Sequence, residues 1–154
     1  DRGRMVQVGT PGEVYEFPAS RFVADFIGSV NLFEGRLVED EPDHVRIRCP
    51  ELAHLVHVDH GISSAPDATV WVAIRPEKIA LSRQRPAGDE NVDRGVVSEI
   101  AYMGDASVYL VRLDGGRTVR VRLPNVGRHA GDRISRDEAV WLSWQPASPV
   151  VLAQ

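Results

Sequence analysis

The chain has 154 residues, a formal net charge of −4 and 43% hydrophobic residues, enough for one ordinary domain or two small ones. That acidic balance leaves no electrostatic footprint for DNA or RNA, and no apolar run approaches the roughly 20 residues that a bilayer span needs. Cys49 is the single cysteine, which excludes an internal disulfide and suits a reducing compartment.

Two short helices are predicted before Leu32. Thr10 and Glu13 stand at capping-box spacing, and Pro11 takes the first helical position, where its missing N–H costs nothing. Pro18 ends that helix. Phe22, Val23, Phe26 and Ile27 then share one face of the next, with Gly28 placed for a C-cap. From Leu32 onward short β-rich runs alternate with turn residues, the pattern of a small barrel or sandwich. The expected strands are Phe33–Val38, Val45–Cys49, Leu55–Val58 and Val70–Ile74, then Gly95–Tyr102, Ser107–Leu113, Thr118–Leu123 and Ala139–Trp144. Ser82–Asn91, with Pro86 and Gly88, reads as an exposed linker, and Asp114-Gly115-Gly116 as a hairpin turn.

The two halves echo one another. Asp67-Ala68-Thr69-Val70-Trp71-Val72 precedes Pro76 as Asp137-Glu138-Ala139-Val140-Trp141-Leu142 precedes Pro146, and Gly61 and Gly131 keep the same register upstream. Duplicated units that close on each other explain such an echo, because each is too small to bury much alone. Val70–Ile74 is apolar on both faces, so Trp71 and Trp141 are read as core anchors and not as ligand platforms.

His54, His57 and His60 stand three apart beside Asp59. On a strand, residues three apart point to opposite faces, so these imidazoles diverge where a zinc site needs convergence; a polar edge is the expected role. Arg75-Pro76-Glu77 follows a buried strand, and the proline fixes a turn from which both charges project. The choices there are a solvated turn, a structural ion pair or an interface. Gly104, in Tyr102-Met103-Gly104-Asp105, is expected in a strand bulge that turns backbone amides outward, the geometry of a small-anion nest. No basic residue is evident beside it. Gly131-Asp132 is read as a simple turn.

The run from Gly9 to Glu16, followed by Phe22-Val23-Ala24-Asp25-Phe26-Ile27-Gly28-Ser29-Val30-Asn31, resembles the segment that closes the ATPase core of ABC importer ATP-binding subunits. The polyamine (putrescine/spermidine) type is nearest in pattern, with iron, sulfate and maltose relatives. Arg75–Glu77, and Tyr102–Asp105 followed by Ser107 and Tyr109, resemble elements of that family's C-terminal regulatory (transport-associated OB, TOBE) domain. The opening Asp1-Arg2-Gly3-Arg4-Met5 accordingly reads as the interior of a longer protein.

The resemblance implies a mainly β chain of tandem OB-like barrels preceded by a short helical segment. Residues 1–29 would end the ATPase domain, and 30–154 would form the regulatory domain, in units of about 30–82 and 92–154. It further implies a homodimer that contacts an ABC ATPase core and, through it, transmembrane permease subunits, in the cytoplasm and peripheral to the inner membrane. Such domains keep paired subunits together through ATP-driven import, and some receive regulatory proteins or small effectors. ATP and Mg belong to the parent protein. This sequence holds no G-x-x-x-x-G-K-[ST] loop, so no catalytic, cofactor or metal residue is assigned. Phe22, Phe26, Arg75, Glu77, Gly104, Asp105 and Trp144 are the interface or structural candidates. A free-standing small-ligand or oxyanion module is the alternative. A nucleic-acid OB domain is disfavoured by 6% aromatic residues, because single-strand recognition uses stacking platforms in a basic groove.

Overall fold

The computed structural model describes residues 30–61, 69–125 and 134–152. The helical segment expected near the start, with Phe22 and Phe26, lies outside them, as do Gly131 and Asp132. The described residues form ten strands: β1 Asn31–Glu41, β2 His44–Arg48, β3 Val56–Val58, β4 Thr69–Ile74, β5 Ala80–Ser82, β6 Val92–Tyr102, β7 Ala106–Leu113, β8 Thr118–Pro124, β9 Ala139–Ser143 and β10 Val150–Leu152.

They build two five-stranded antiparallel sheets, ordered β10-β4-β1-β2-β3 and β5-β9-β6-β7-β8. Advancing each strand number by five turns the first order into the second, with β5 and β10 traded. The last short strand of each half is therefore paired in the sheet of the other. The mainly β, OB-like architecture expected from the sequence is what forms.

Alternation explains the strands. In β8, Val119, Val121 and Leu123 are buried while Thr118, Arg120 and Arg122 are exposed; in β2, Val45 and Ile47 point inward from between His44, Arg46 and Arg48. The inner faces of both sheets meet in one continuous core that includes Phe33, Ile47, Val72, Tyr109, Val121 and Leu142. Cys49 lies in it, and burial pushes its thiol up to about 12, so it is an inert apolar filler.

Each long central strand carries an irregularity near its middle, at Leu37/Glu39 in β1 and Val97/Glu99 in β6. An extra residue there increases twist and curls the sheet. Two inward positions have no room for a side chain. A Cβ on Gly35 would lie 2.6 Å from Ile47 Cγ2, and one on Gly95 would lie 2.5 Å from the Arg112 carbonyl oxygen.

Several expectations need correction. β5 and β10 are strands that the sequence reading missed, and β1 runs longer than expected because its exposed acidic end pairs with β2. Trp71 and Trp141 are not core anchors. Both are half-buried on the outer faces, at equivalent places in β4 and β9. Trp71 joins a separate small cluster with Leu32, Ala73, Val150 and Leu152; that cluster accounts for the apolar second face of β4. Trp141 lies beneath the guanidinium groups of Arg85, at 5.2 Å, and Arg94, at 5.9 Å.

Candidate functional site

The sheets are joined by polar groups placed reciprocally. Asn31, at the start of β1, accepts the Arg120 N–H on Oδ1 and donates Nδ2 to the Arg120 carbonyl, both at 2.8 Å. Asn91, just before β6, accepts the His57 N–H at 2.8 Å and donates to the His57 carbonyl at 2.9 Å. Arg120 and His57 lie on β8 and β3, the edge strands of the two sheets. Each asparagine amide thus stands in for one peptide of a neighbouring strand and covers an edge that would otherwise be open. Both side chains are buried.

Two further side chains, both from the second half, reinforce the joint. Asp93, also buried, accepts the Ala53 N–H at 3.1 Å and the Arg94 N–H at 2.7 Å. Arg117 donates to Glu51 and to the Leu32 carbonyl, each at 2.7 Å, with its guanidinium carbon 4.8 Å from the Phe33 ring centroid. Sequence reading missed all four residues. The signal that would have found the asparagines is the equal spacing of Asn31-x-x-x-Gly35 and Asn91-x-x-x-Gly95.

Beside the Asn91 hook lies a cleft of about 350 Å³ bordered by His57, Asp89, Glu90, Ser143, Trp144 and Gln145. The Asn91 backbone, at φ 57°, holds it in place: its N–H donates to the Leu55 carbonyl at 3.1 Å and its carbonyl accepts the Trp144 N–H at 3.2 Å. The Trp144 indole is buried, and its Nε1 has no hydrogen-bond partner among the described residues. On the other side of Glu90, an open groove of about 530 Å³ runs past Arg46, Arg48 and His54.

Between cleft and groove a charge network ties the β1–β2 hairpin to the inter-sheet segment. Arg46 donates to Glu90 at 2.6 Å and to Glu39; these bonds push its pKa up, Glu90 contributing first. His44 lies 2.8 Å from Asp43 and 3.1 Å from Glu39. Hydrogen bonds to Asp43 and then Glu39 raise its pKa. In return, Glu39 is held below the usual carboxylate range by Arg46 and then His44, and Asp43 by His44. His57 Nδ1 is 3.5 Å from Glu90, and its ring meets that of His44 edge-on at 5.5 Å. His54, His57 and His60 do not converge on one another; His57 turns to Glu90, while His60 contacts the Gly61 carbonyl at 3.3 Å. Among the described residues no three His, Cys, Asp or Glu side chains are grouped to hold a metal.

The remaining candidates sit apart from the cleft. Arg75 is buried at the end of β4. Its carbonyl accepts the Lys78 N–H at 3.0 Å, closing a 3-10 turn over Pro76–Lys78 that packs against β8. Glu77 is exposed on that turn. Gly104 and Asp105 are not in a bulge; they form the two-residue connection of the β6–β7 hairpin. Gly104 has φ 77°, and the Met103 N–H donates to the Ala106 carbonyl at 2.8 Å. Glycine with positive φ at the first central position is what a II′-type turn requires. Asn125 braces the connection, donating Nδ2 to the Gly104 carbonyl at 2.9 Å and its backbone N–H to the Asp105 carbonyl at 2.9 Å. The turn carbonyls are thus engaged by the residue just after β8, and the bulge lies upstream at Val97/Glu99.

Residues 72–152 match the family model described as the TOBE domain. The chain is 44% identical over 152 residues to the putrescine transport ATP-binding protein PotG of Escherichia coli, covering 99% of this chain and 40% of that protein. It is 36% identical to the spermidine/putrescine import ATP-binding protein PotA of Thermotoga maritima, covering 95% of this chain and again 40% of the relative. The chain therefore spans about 40% of the length of the curated relatives it matches. Among solved structures it resembles the cytoplasmic molybdate-binding protein ModG with molybdate bound, at TM-score 0.66 and 13% identity, over 79% of this chain and 94% of that one. That likeness carries the fold alone. With ten strands in two sheets and a family match that runs from β4 to β10, the chain belongs to the TOBE domain family, in the form found in polyamine-import ATP-binding proteins.

Proposed function

We propose that this chain is the regulatory and subunit-pairing domain of an ATP-binding subunit that drives polyamine import. The observation that carries the reading is the 44% identity to PotG across 99% of the chain, on a fold with no phosphate-binding loop in its sequence. ATP and Mg are handled elsewhere in the parent protein, so the domain works mechanically. A contact with a second copy that persists through the transport cycle raises the effective concentration of one motor half for the other. An effector biases the cycle to the extent that it binds one arrangement better than another. The permease subunits are reached through the ATPase core, which places the domain on the cytoplasmic side, peripheral to the inner membrane. Among the described residues no helix is long and apolar enough to cross a membrane.

Sedimentation equilibrium at micromolar concentration tests the pairing: a dimer is expected, and a strict monomer at high concentration overturns it. Phe22→Asp with Phe26→Asp weakens the dimer if the N-terminal segment contributes, and leaves it intact if the barrels pair alone. Calorimetric titration with ATP is expected to show no saturable heat. The likeness to ModG favours an oxyanion-binding module as the second reading, and saturable heat with molybdate would select it.

A further inference from the structure

The outer face of the second sheet bears a concentration of charge that the pairing role does not use. Strand alternation and register bring Arg94 of β6, Arg112 of β7, and Arg120 and Arg122 of β8 to that face, all exposed. Arg112 is opposite Val96 and Thr118, Arg120 opposite Leu110, and Arg122 opposite Val108. Among the described outward strand positions, Glu99 supplies the one carboxylate, in register with Leu110. Arg112 and Arg122 make no ion pair among the described residues; the pair of Arg85 with Asp89 lies at the margin of this face, over Trp141 beside Arg94. Four arginines on one face of a chain whose net charge is −4 are a segregated patch of one sign.

Some apolar exposure lies in the same place. Of the exposed large hydrophobic residues, Val96 at 42% lies on this face and Met103 at 57% in the turn at its end, whereas Tyr102 at 60%, in register with buried Ser107, sits on the opposite face of β6 and Val38 on the first sheet. Arginine and methionine are among the residue types enriched at protein interfaces, where lysine is depleted; Lys78, the sole lysine, lies outside this face. The surface is not a nucleic-acid platform, because the Trp141 ring is already covered by Arg85 and Arg94.

We infer that the outer face of β6–β8, with Met103 at its tip, docks another protein whose contact surface interleaves carboxylates with apolar side chains. Bidentate carboxylate pairing at Arg112 and Arg122 sets its register, and Val96, Leu110 and Val108 supply the apolar contact between them. This inference stands whether or not the chain pairs with a second copy.

The test is a nuclear magnetic resonance titration of the ¹⁵N-labelled chain with a synthetic peptide alternating glutamate with leucine, beside its glutamine counterpart. Saturable shifts of β6–β8 amides with the glutamate peptide alone are expected. Arg112→Glu with Arg122→Glu should weaken binding roughly tenfold or more. Arg112→Lys with Arg122→Lys, which keeps the fold and the charge but loses the bidentate geometry, should fall between. Arg36→Glu with Arg48→Glu, on the outer face of the first sheet, should change affinity by less than about twofold. Equal binding of the glutamine peptide overturns the inference, as does equal loss in the first-sheet variant. So does binding of phosphatidylglycerol vesicles or single-stranded DNA without the peptide, or shifts that track self-association.

Discussion

Asn31 and Asn91 show how much a single amide decides. Each satisfies one N–H and one C=O of an edge strand with its own carbonyl and NH₂, so truncation leaves two backbone groups without partners in a partly buried place. Asn31→Ala is expected to cost about 2–4 kcal/mol, the combined penalty of those groups. Asn91→Ala should cost more, because the backbone there has φ 57°, which alanine tolerates poorly. Asn91→Gly removes that strain while still losing the hook, so its cost should fall back toward that of Asn31→Ala. Urea unfolding of the three variants reads the order directly. Equal losses for Asn91→Ala and Asn91→Gly would mean that the backbone conformation contributes nothing, and near-neutral values for all three would mean that water replaces the hooks without cost.

At the scale of elements, the β1–β2 hairpin carries a proton-sensitive contact. The folded pKa of His44 is raised by Asp43 and Glu39, so its stabilisation is complete below the unfolded value near 6.5 and is lost as pH rises through the folded value. The folded pKa values of Glu39 and Asp43 are depressed, so their share is present above the unfolded values of 4.5 and 3.8 and is lost as pH falls through the folded ones. The contact therefore contributes most on the mildly acidic side of neutrality. His44→Gln should flatten the decline of the urea midpoint as pH rises from about 6 to 8, and Glu39→Gln should lower the His44 titration midpoint read by magnetic resonance. An unchanged slope in His44→Gln would show that another group titrates there. None of this network was legible in the sequence, because it joins residues of β1, β2 and β3 to Glu90 across the fold. What was legible is local: alternation gave eight of the ten strands, and the glycines of Asp114-Gly115-Gly116 gave the β7–β8 turn, where Gly116 has φ 99°. β5 and β10 escaped although β3 is equally short: Val56-His57-Val58 alternates apolar with polar, whereas Ala80-Leu81-Ser82 and Val150-Val151-Leu152 show no alternation. Trp71 and Trp141 were misassigned for a related reason: an apolar run does not say whether its second face meets the main core or a smaller outer cluster. Gly104 was recognised as special, but a glycine signals positive φ without distinguishing a bulge from a hairpin turn.

Across the whole molecule, the traded strands make the two halves one cooperative unit. β10 is added to the first sheet beside β4, where Leu152 is 2% exposed and Val151 packs on the shared core. β5, from the first half, pairs with β9 of the second. Removing residues after Ser148 takes away one fully buried leucine, two half-buried valines and a short ladder of backbone bonds. Such a loss is on the order of 3–5 kcal/mol, a large part of the roughly 5–15 kcal/mol that holds a domain together. The damage should fall on the first sheet, more than seventy positions away from the cut in β4. Unfolding can be followed from each sheet separately, with Trp71 as reporter in a Trp141→Phe, Trp144→Phe background and Trp141 as reporter in a Trp71→Phe, Trp144→Phe background. In the intact chain both reporters should give one coincident urea transition, because a single core spans both sheets. In the shortened chain both transitions should move to lower urea together. If the Trp71 transition moved alone, the exchanged strands would join two independently stable units, and the shared core would not couple them.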